Sequence, residues 1–338
     1  MPDIVEEESD NVSGFDPLIQ TENIAFRPDE MVSCSSCRRM NPPNRLNCLY
    51  CGNELEIKPE NVASIRPNLR KLEAWKRGFN IIIREPLPAN QLSFADIASF
   101  LSTDPGDLAL IFEAAEPLPL ARVESKTEAE ILVAGLAERG LKCSIVADND
   151  LADDTQPVRL SRIDIRHGGI AVTDFNTREV TEIDDDNLAL LIPGIVAVST
   201  VDSFEKKGRA GKTRVIDETT TDRDESVLDL YSRHDPIGFR VHLTGFDFSC
   251  LGADKGLIAD QNMQRLTTVL AEHAPHVRLA GNYKKVRRAL DQVWEIESRR
   301  EPTGLQRSGF AKRNFGSVAS TSNLRQFTKY SRLQWHLL

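Results

Sequence analysis

Two Cys-x-x-Cys pairs stand close together near the start of the chain, Cys34 with Cys37 and Cys48 with Cys51. Zinc prefers four soft ligands at the corners of a tetrahedron, and cysteine thiolates supply them. A Cys-x-x-Cys turn aims two sulfurs at one ion, so two such turns fill every position and leave none open for water. We therefore predict one structural Zn²⁺ held by these four cysteines. A redox dithiol pair and an iron–sulfur centre are the alternatives.

Three arginines and a tyrosine lie among the cysteines: Arg38, Arg39, Arg45 and Tyr50. Arginine and aromatic side chains contact single-stranded nucleic acid by pairing with phosphates and stacking on bases. The same side chains also make protein contacts. We treat these four residues as a candidate contact surface, which meets a nucleobase, a protein or only solvent.

Other chemical motifs are weaker. The stretch GRAGKT, 208–213, lacks the first glycine of a phosphate-binding loop, because Lys206 stands at that position. The acidic runs IDDDN and TTTDRDES lack the alternating spacing of calcium loops. Cys250 has no local base that would make it a nucleophile. We find no catalytic constellation and no small-molecule substrate, and we predict that the protein is not an enzyme.

The cysteine region resembles two families. Cys51-Gly52-Asn53-Glu54-Leu55 is similar to the end of the short bacterial zinc ribbon. The Ran-binding-protein type of zinc finger has an Asn after its second Cys, together with an Arg, and Asn41 and Arg45 resemble them. That family's Trp two residues before the first Cys is replaced by Val32. Some of its members bind single-stranded RNA and others bind ubiquitin, so the resemblance leaves both partners open.

The elements around residues 79–148 follow from capping and periodicity. The pattern predicts a strand at 79–84, helices from Ser93 and Asp104, a strand at 118–123, a helix capped by Ser125 and Glu128, and a last strand at 141–147. This β-α-α-β-α-β order, and the run VESKTEAEILVAGLAERGLKCSIV, resemble the C-terminal domain of the ribosomal stalk protein. The adaptor subunit of the Clp protease has a related core. The stalk protein's lysines on the first helix pair are absent here, so the resemblance implies only a fold.

Residues 157–298 alternate in short apolar segments. A hairpin is predicted around His167-Gly168-Gly169, then further strands in REVTEI, GIVAVSTVDSF, TRVIDE and GFRVHLTGFDFSC, and then helices at 257–273 and 282–298. This order resembles a pleckstrin-homology-like domain. The predicted fold class is multidomain α+β: a small zinc ribbon, the β-α-α-β-α-β domain, an antiparallel β barrel or sandwich with C-terminal helices, and disordered termini.

Charge is segregated along the 338 residues, whose net charge is −9. Residues 1–30 hold nine acids and one base, whereas residues 299–338 hold eight bases and one acid. The predicted domains are a disordered acidic N-terminus (1–30), the zinc ribbon (31–56), a helical connector (57–78), the α/β domain (79–148), a linker (149–156), the pleckstrin-homology-like domain (157–298) and a basic, aromatic, disordered tail (299–338).

The sequence has neither an apolar run of membrane-spanning length nor a basic start typical of a signal peptide, and we expect a cytoplasmic protein. The predicted function is a zinc-binding adaptor or scaffold that contacts protein. The alternative is single-stranded RNA or DNA binding through the ribbon and the basic tail. Contact of residues 299–338 with an anionic membrane surface is a third, weaker hypothesis.

Overall fold

The computed structural model describes residues 26–56, 69, 71–73, 75–84, 93–207, 213–307 and 313–338. The predictions for residues 1–25, for 57–68 of the connector and for 208–212 of GRAGKT lie outside the described residues. The chain divides into two compact units, Met1–Arg66 and Pro67–Leu338. None of the helices in the described ranges is long and apolar enough to cross a membrane.

The first unit is built on a short hairpin. Strands β1 (Val32–Ser33) and β2 (Met40–Asn41) pair antiparallel. A further bridge joins Asn47 to Glu54. Its buried cluster is small: Val32, Cys34, Cys48 and Leu55. So few apolar side chains cannot stabilise a domain alone, and a unit of this size needs a metal or another staple.

The second unit begins with a three-stranded antiparallel sheet of order β4-β3-β5. Its elements are β3 (Phe79–Ile83), α1 (Phe94–Leu101), α2 (Pro105–Glu113), β4 (Pro119–Val123), α3 (Lys126–Glu138) and β5 (Cys143–Ala147). Each helix starts at its predicted cap: Ser93, Asp104 and Ser125, the last in a capping box with Glu128. The predicted element order is confirmed.

A larger nine-stranded sheet follows. Its strands are β6 (Val158–Arg166), β7 (Gly169–Asp174), β8 (Val180–Asp184), β9 (Leu188–Lys207), β10 (Thr213–Ser232), β11 (Phe239–His242), β12 (Arg278–Leu279), β13 (Glu297–Arg307) and β14 (Arg313–Ser322). Neighbours run β13-β14-β9-β10-β11-β6-β7-β8, with β12 beside β9. The pairs β11–β6 and β12–β9 are parallel, and the rest are antiparallel. The mixed α+β class is confirmed.

Several predicted boundaries were wrong. The segment predicted as the strand GFRVHLTGFDFSC is a strand only over Phe239–His242, followed by a 3-10 helix over Phe248–Asp254. Helix α4 spans Ala259–His273, close to the prediction. Helix α5 spans only Tyr283–Leu290, because the chain turns at Asp291 and enters β13 at Glu297. In the connector, residues 69, 71–73 and 75–78 are not helical.

The described part of the basic tail is folded, so the prediction of a disordered segment over 299–338 was wrong there. Strands β13 and β14 form a hairpin beside β9, and α6 spans Leu324–His336. Every residue of α6 from Gln326 to Gln334 is buried, including Lys329 and Arg332. A helix buried on all sides is a central core element rather than a surface one.

The charged side chains of α6 can be buried because they pair with buried acids from distant parts of the chain. Arg122 Nη2 lies 2.5 Å from Asp148 Oδ2, and Lys329 Nζ lies 3.5 Å from Asp148 and 3.6 Å from Asp153. Arg325 Nε lies 2.8 Å from Asp153. Burial alone would raise the pKa of each carboxyl, but Lys329 and the guanidinium groups outweigh it and hold the pKa of Asp148 and of Asp153 below the usual range.

Two further polar clusters involve α6. Asp229 accepts hydrogen bonds from Arg240 Nε at 2.6 Å and from Ser331 Oγ at 2.6 Å. Tyr330 donates its hydroxyl to Glu116 Oε2 at 2.5 Å. All these groups are buried, and buried polar groups need such partners. We read them as the supports of the fold.

Residues 149–156, predicted as a linker, contribute to the core, and the domains predicted on either side of them are not packed separately. Leu151 is fully buried, Asp153 is buried, and Asp148–Leu151 form a 3-10 helix. One hydrophobic cluster contains Ile81 of β3, Trp294 after α5 and Phe327 of α6. Residues 79–148 and 157–298 therefore share a core, which α6 completes. A second cluster lies between α4 and the strands β6, β7 and β11.

Candidate metal centre

The two cysteine pairs sit on equivalent backbone turns. Arg38 N–H donates to Cys34 O at 2.8 Å, and Gly52 N–H donates to Cys48 O at 3.0 Å. Cys34 N–H in turn donates to Arg39 O, and Cys48 N–H donates to Asn53 O. Each turn folds tightly enough to direct its two sulfurs to one side.

The four sulfurs converge. All four ligand atoms lie within 4.8 Å of one another. Cys34 Sγ lies 3.6 Å from Cys51 Sγ, and Cys37 Sγ lies 3.5 Å from Cys48 Sγ. Zinc–sulfur bonds of about 2.3 Å in a tetrahedron place sulfurs about 3.8 Å apart. The donor set and its spacing therefore fit one zinc ion, as predicted for Cys34, Cys37, Cys48 and Cys51.

The electrostatics of the four cysteine thiols also favour a bound cation. Burial would raise the pKa of Cys48, but the backbone N–H groups of Tyr50 and Cys51 and the side chain of Asn41 lower it to about 6. At Cys37 the backbone N–H of Arg39 lowers the pKa, yet burial and the other sulfurs raise it to about 12. The four thiols cannot all ionise side by side without a positive charge. A bound divalent ion removes that conflict by deprotonating its thiol ligands.

Asn41 supports the site from behind the sulfurs. The side chain is fully buried. Its Nδ2 donates to Cys48 Sγ at 3.4 Å and to Arg39 O at 2.9 Å, and its Oδ1 accepts from Leu49 N–H at 2.8 Å. Asn41 thus ties the two turns together and orients a ligand. The sequence marked Asn41 only as a family feature, and its hydrogen bonds were not foreseen.

The candidate contact residues are brought together only in part. Arg39 Cζ lies 4.7 Å from the centre of the Tyr50 ring, a cation–π arrangement. Arg38 and Arg45 are exposed, and in the part of the chain that the structure describes neither makes a cation–π contact with Tyr50. Beside Arg39 and Tyr50, Met40 is 45% exposed and Leu49 is 51% exposed. We call Arg39, Met40, Leu49 and Tyr50 the ribbon surface.

The other cysteines are half-buried free thiols. Burial raises the pKa of Cys143 to about 12. Burial also raises the pKa of Cys250. Both thiols are therefore protonated and weakly reactive at neutral pH. In the described ranges, the four-cysteine cluster is the one group of His, Cys, Asp and Glu placed to hold a metal ion.

This geometry defines a four-cysteine centre compatible with a zinc-finger-like motif in a mixed α+β chain. Comparison with protein-family models, curated proteins and solved structures gave no match.

Proposed function

We propose that the protein is a non-enzymatic adaptor whose zinc ribbon contacts another protein through the ribbon surface. The observation that carries this proposal is the exposure of Met40, Leu49 and Tyr50 on a unit with a very small core. Each exposes 45% or more of its area. Aromatic residues, methionine and arginine are enriched at protein interfaces.

The ion is assigned a structural role. Four thiolates fill a tetrahedral shell, so no coordination position is left for a water or a substrate. The ion holds the two turns, and the turns hold Arg39 against Tyr50. A side chain fixed in advance loses less conformational entropy on binding, which makes Tyr50 a suitable anchor.

Single-stranded nucleic-acid binding through the ribbon is the second candidate, supported by Arg38, Arg39, Arg45 and Tyr50. The cation–π contact weighs against it, because Arg39 covers one face of the ring on which a base would stack. Membrane contact through residues 299–338 has less support still. Phe327 and Tyr330, two of the aromatic side chains invoked for that contact, are buried in α6.

The test compares proteins that co-purify with full-length chains. The surface variant carries Met40→Ser and Tyr50→Ala, which leave the backbone N–H of Tyr50 and the four cysteines in place. The control carries Val180→Ser, an exposed apolar residue of β8. We expect the amount of each co-purified partner to fall at least tenfold with the surface variant and to stay unchanged with the control. Both variants should keep one zinc per chain. Identical recovery by all three proteins would contradict the proposal.

A further inference from the structure

Three arginines from separate parts of the large sheet meet beside Phe175 and Thr244. Arg159 is in β6, Arg178 follows the turn after β7, and Arg223 is in β10. Arg159 Cζ lies 4.0 Å and Arg178 Cζ lies 5.5 Å from the centre of the Phe175 ring. Arg159 Nη2 donates to Thr244 O at 2.6 Å, and Arg223 Nη2 donates to Thr244 Oγ1 at 3.4 Å. We call Arg159, Arg178 and Arg223 the arginine triad.

The charges of the arginine triad are not compensated by acids. In the described ranges none of the three forms an ion pair, whereas the buried Arg122 and Arg240 each pair with an aspartate. Arg159 Nε is buried, also without a hydrogen-bond partner among the described residues. The guanidinium groups of Arg159 and Arg178 lie at most about 10 Å apart, because both contact one ring. Like charges at about one Debye length still repel each other, so the arrangement costs stability and the fold alone does not explain it.

Two acids beside the triad have other partners. Asp174 Oδ1 accepts two backbone N–H groups of its own turn, at 2.6 and 3.0 Å. Glu225, in the same strand as one of the arginines, places Oε1 3.6 Å from His242 Nδ1. Burial lowers the pKa of His242, and the positive charges of Arg240 and Arg159 lower it further, against the opposing effect of Glu225. His242 is therefore neutral at pH 7, and the triad supplies the cations for an anionic ligand.

Arg178 is held in a strained backbone conformation. Its φ of 65° is left-handed. The turn is closed by Asp174 N–H, which donates to Glu179 O at 2.9 Å, and by Arg178 N–H, which donates to Asp174 O at 3.2 Å. Glycine suits this position of a hairpin turn, and a residue with a Cβ is strained there. Strain of this kind concentrates at functional sites, and here it places a guanidinium group beside Phe175.

Gly245 allows the chain after β11 to pass directly against the triad. A Cβ at this position would lie 2.8 Å from Phe175 Cε2 and 3.2 Å from Arg159 Nη2. The close approach keeps Thr244 within hydrogen-bond distance of Arg159. Backbone packing thus positions the donors in advance, which lowers the entropy lost when a ligand binds.

We propose that the arginine triad binds a phosphate monoester. At pH 7 such a group carries a charge of about −1.5 to −2 and three acceptor oxygens. Planar guanidinium groups match these oxygens with paired hydrogen bonds, and arginine clusters recognise phosphorylated motifs in this way. The hydroxyl of Thr244 is a further donor at the same place.

A single phosphate group fits this place better than a nucleic acid does. Arg159 covers one face of Phe175, so a base cannot stack on that face. The chain as a whole carries −9, which repels a polyanion. The site lies in the second unit and goes beyond the adaptor function proposed for the ribbon surface, on which it does not depend.

The experiment measures fluorescence anisotropy of labelled peptides with the full-length protein in low-salt buffer. One peptide mixture has a fixed phosphoserine with degenerate flanking residues, and the matched mixture has serine in its place. We expect the phosphoserine mixture to bind at least tenfold more tightly, because charge-assisted hydrogen bonds are lost with the phosphate. Glycerol phosphate, a small phosphate monoester, is the competitor and should displace the peptide. Displacement at concentrations close to the peptide's own dissociation constant indicates a small phosphorylated ligand, and displacement only at tenfold higher concentrations indicates a phosphorylated protein.

Three variants locate the site. Arg178→Gly removes one guanidinium group and relieves the backbone, so binding should weaken about tenfold while the melting temperature rises by about 1–3 °C. Arg223→Gln should weaken binding to a similar extent. The control Arg288→Gln removes the same charge from an exposed position of α5 and should leave binding unchanged. Circular dichroism confirms that the variants are folded.

Several results would overturn the proposal. These are equal binding of the phosphoserine and serine mixtures, no binding of either mixture together with no binding of glycerol phosphate by calorimetry, or an equal loss in Arg288→Gln. A lower melting temperature in Arg178→Gly, with binding retained in Arg223→Gln, would make the triad a support of the fold and would also contradict it.

Discussion

Arg38 and Gly52 occupy equivalent positions in the two cysteine turns, and both have left-handed backbones with φ of 59° and 74°. Each donates its N–H to the carbonyl of the first cysteine of its pair. Glycine adopts this conformation freely, whereas a residue with a Cβ pays about 1–2 kcal/mol. One turn of the metal site is thus built on the residue that suits it and the other on a strained arginine.

Arg38→Gly should therefore raise the zinc affinity of the site, and Gly52→Ala should lower it. We expect the glycine to give a net gain of about 0.5–1 kcal/mol, since its larger entropy in the unfolded chain offsets part of the relieved strain. The alanine should cost about 1 kcal/mol, or about fivefold in metal affinity. Apart from Gly52 and its two chain neighbours, no atom lies within 4 Å of a Cβ built at this position, so the substitution tests the backbone conformation alone. Competition with a chromogenic zinc chelator measures both. Equal retention by the two variants would refute the argument.

Purified protein should contain one zinc per chain, and Cys48→Ser should lose it. In small metal domains the free energy of metal binding is folding free energy, so the ribbon should unfold as the ion leaves. Cys143→Ser, which removes a thiol outside the cluster, is the control and should keep the ion. Plasma mass spectrometry measures the metal. Iron in place of zinc, or no metal in the unchanged protein, would contradict the assignment.

Asp148→Asn should destabilise the second unit strongly and alter its response to acid. The substitution deprives buried Arg122 of its carboxylate partner and leaves Lys329 with Asp153 alone, which costs about 3–5 kcal/mol. Because the pKa of Asp148 is depressed in the fold, its contribution is complete above the ordinary value of about 3.9 and is lost as pH falls through the folded value. Stability should therefore fall below about pH 4 in the unchanged protein and less steeply in the variant.

The control for that prediction is Asp154→Asn. The Asp154 side chain is 66% exposed, and its ion pairs with Arg77 and Arg325 lie at the surface. An exposed pair contributes about 0–1 kcal/mol, so this variant should unfold close to the unchanged protein. Urea unfolding at pH 7, 4 and 3, followed by tryptophan fluorescence, separates the two variants. Similar losses in both variants would show that Asp148 is not the critical charge.

Gly194→Ala should lower the melting temperature, and Gly281→Ala should not. A Cβ at Gly194 would lie 2.2 Å from the ring of Phe327, whereas a Cβ at Gly281 would meet Pro193 at an ordinary 3.7 Å. Overpacking of this kind costs about 1–3 kcal/mol. Calorimetry of the full chain compares the two variants. An unchanged melting temperature in Gly194→Ala would mean that α6 does not pack against β9.

The parts of the fold that could be predicted are those with local causes. Ser93, Asp104 and Ser125 cap helices within three residues of themselves, so α1, α2 and α3 could be placed from the sequence. The cysteine spacing likewise determines the metal ligands, because each turn is only a few residues long.

Helix α6 was missed because its stabilising partners are remote. In the sequence, Lys329 is expected to be solvated, because its buried partner Asp148 lies 181 residues earlier. The apolar residues of α6, which are Leu324, Phe327, Tyr330 and Leu333, do recur every three residues. The basic and polar residues between them obscured this signal. The pairing of β14 with β9 joins segments about a hundred residues apart, and no local pattern could have predicted it.

The position of α6 also affects when the second unit can finish folding during synthesis. Tyr330 meets Glu116 across 214 residues of chain, and α6 follows every strand of the sheet. A growing chain that has not yet exposed α6 holds Asp148, Asp153 and Asp229 in an unfinished interior without their α6 partners. Contacts of such long range form slowly, and the open intermediate is prone to aggregate. The nascent chain should therefore stay prone to aggregation until α6 has left the ribosome.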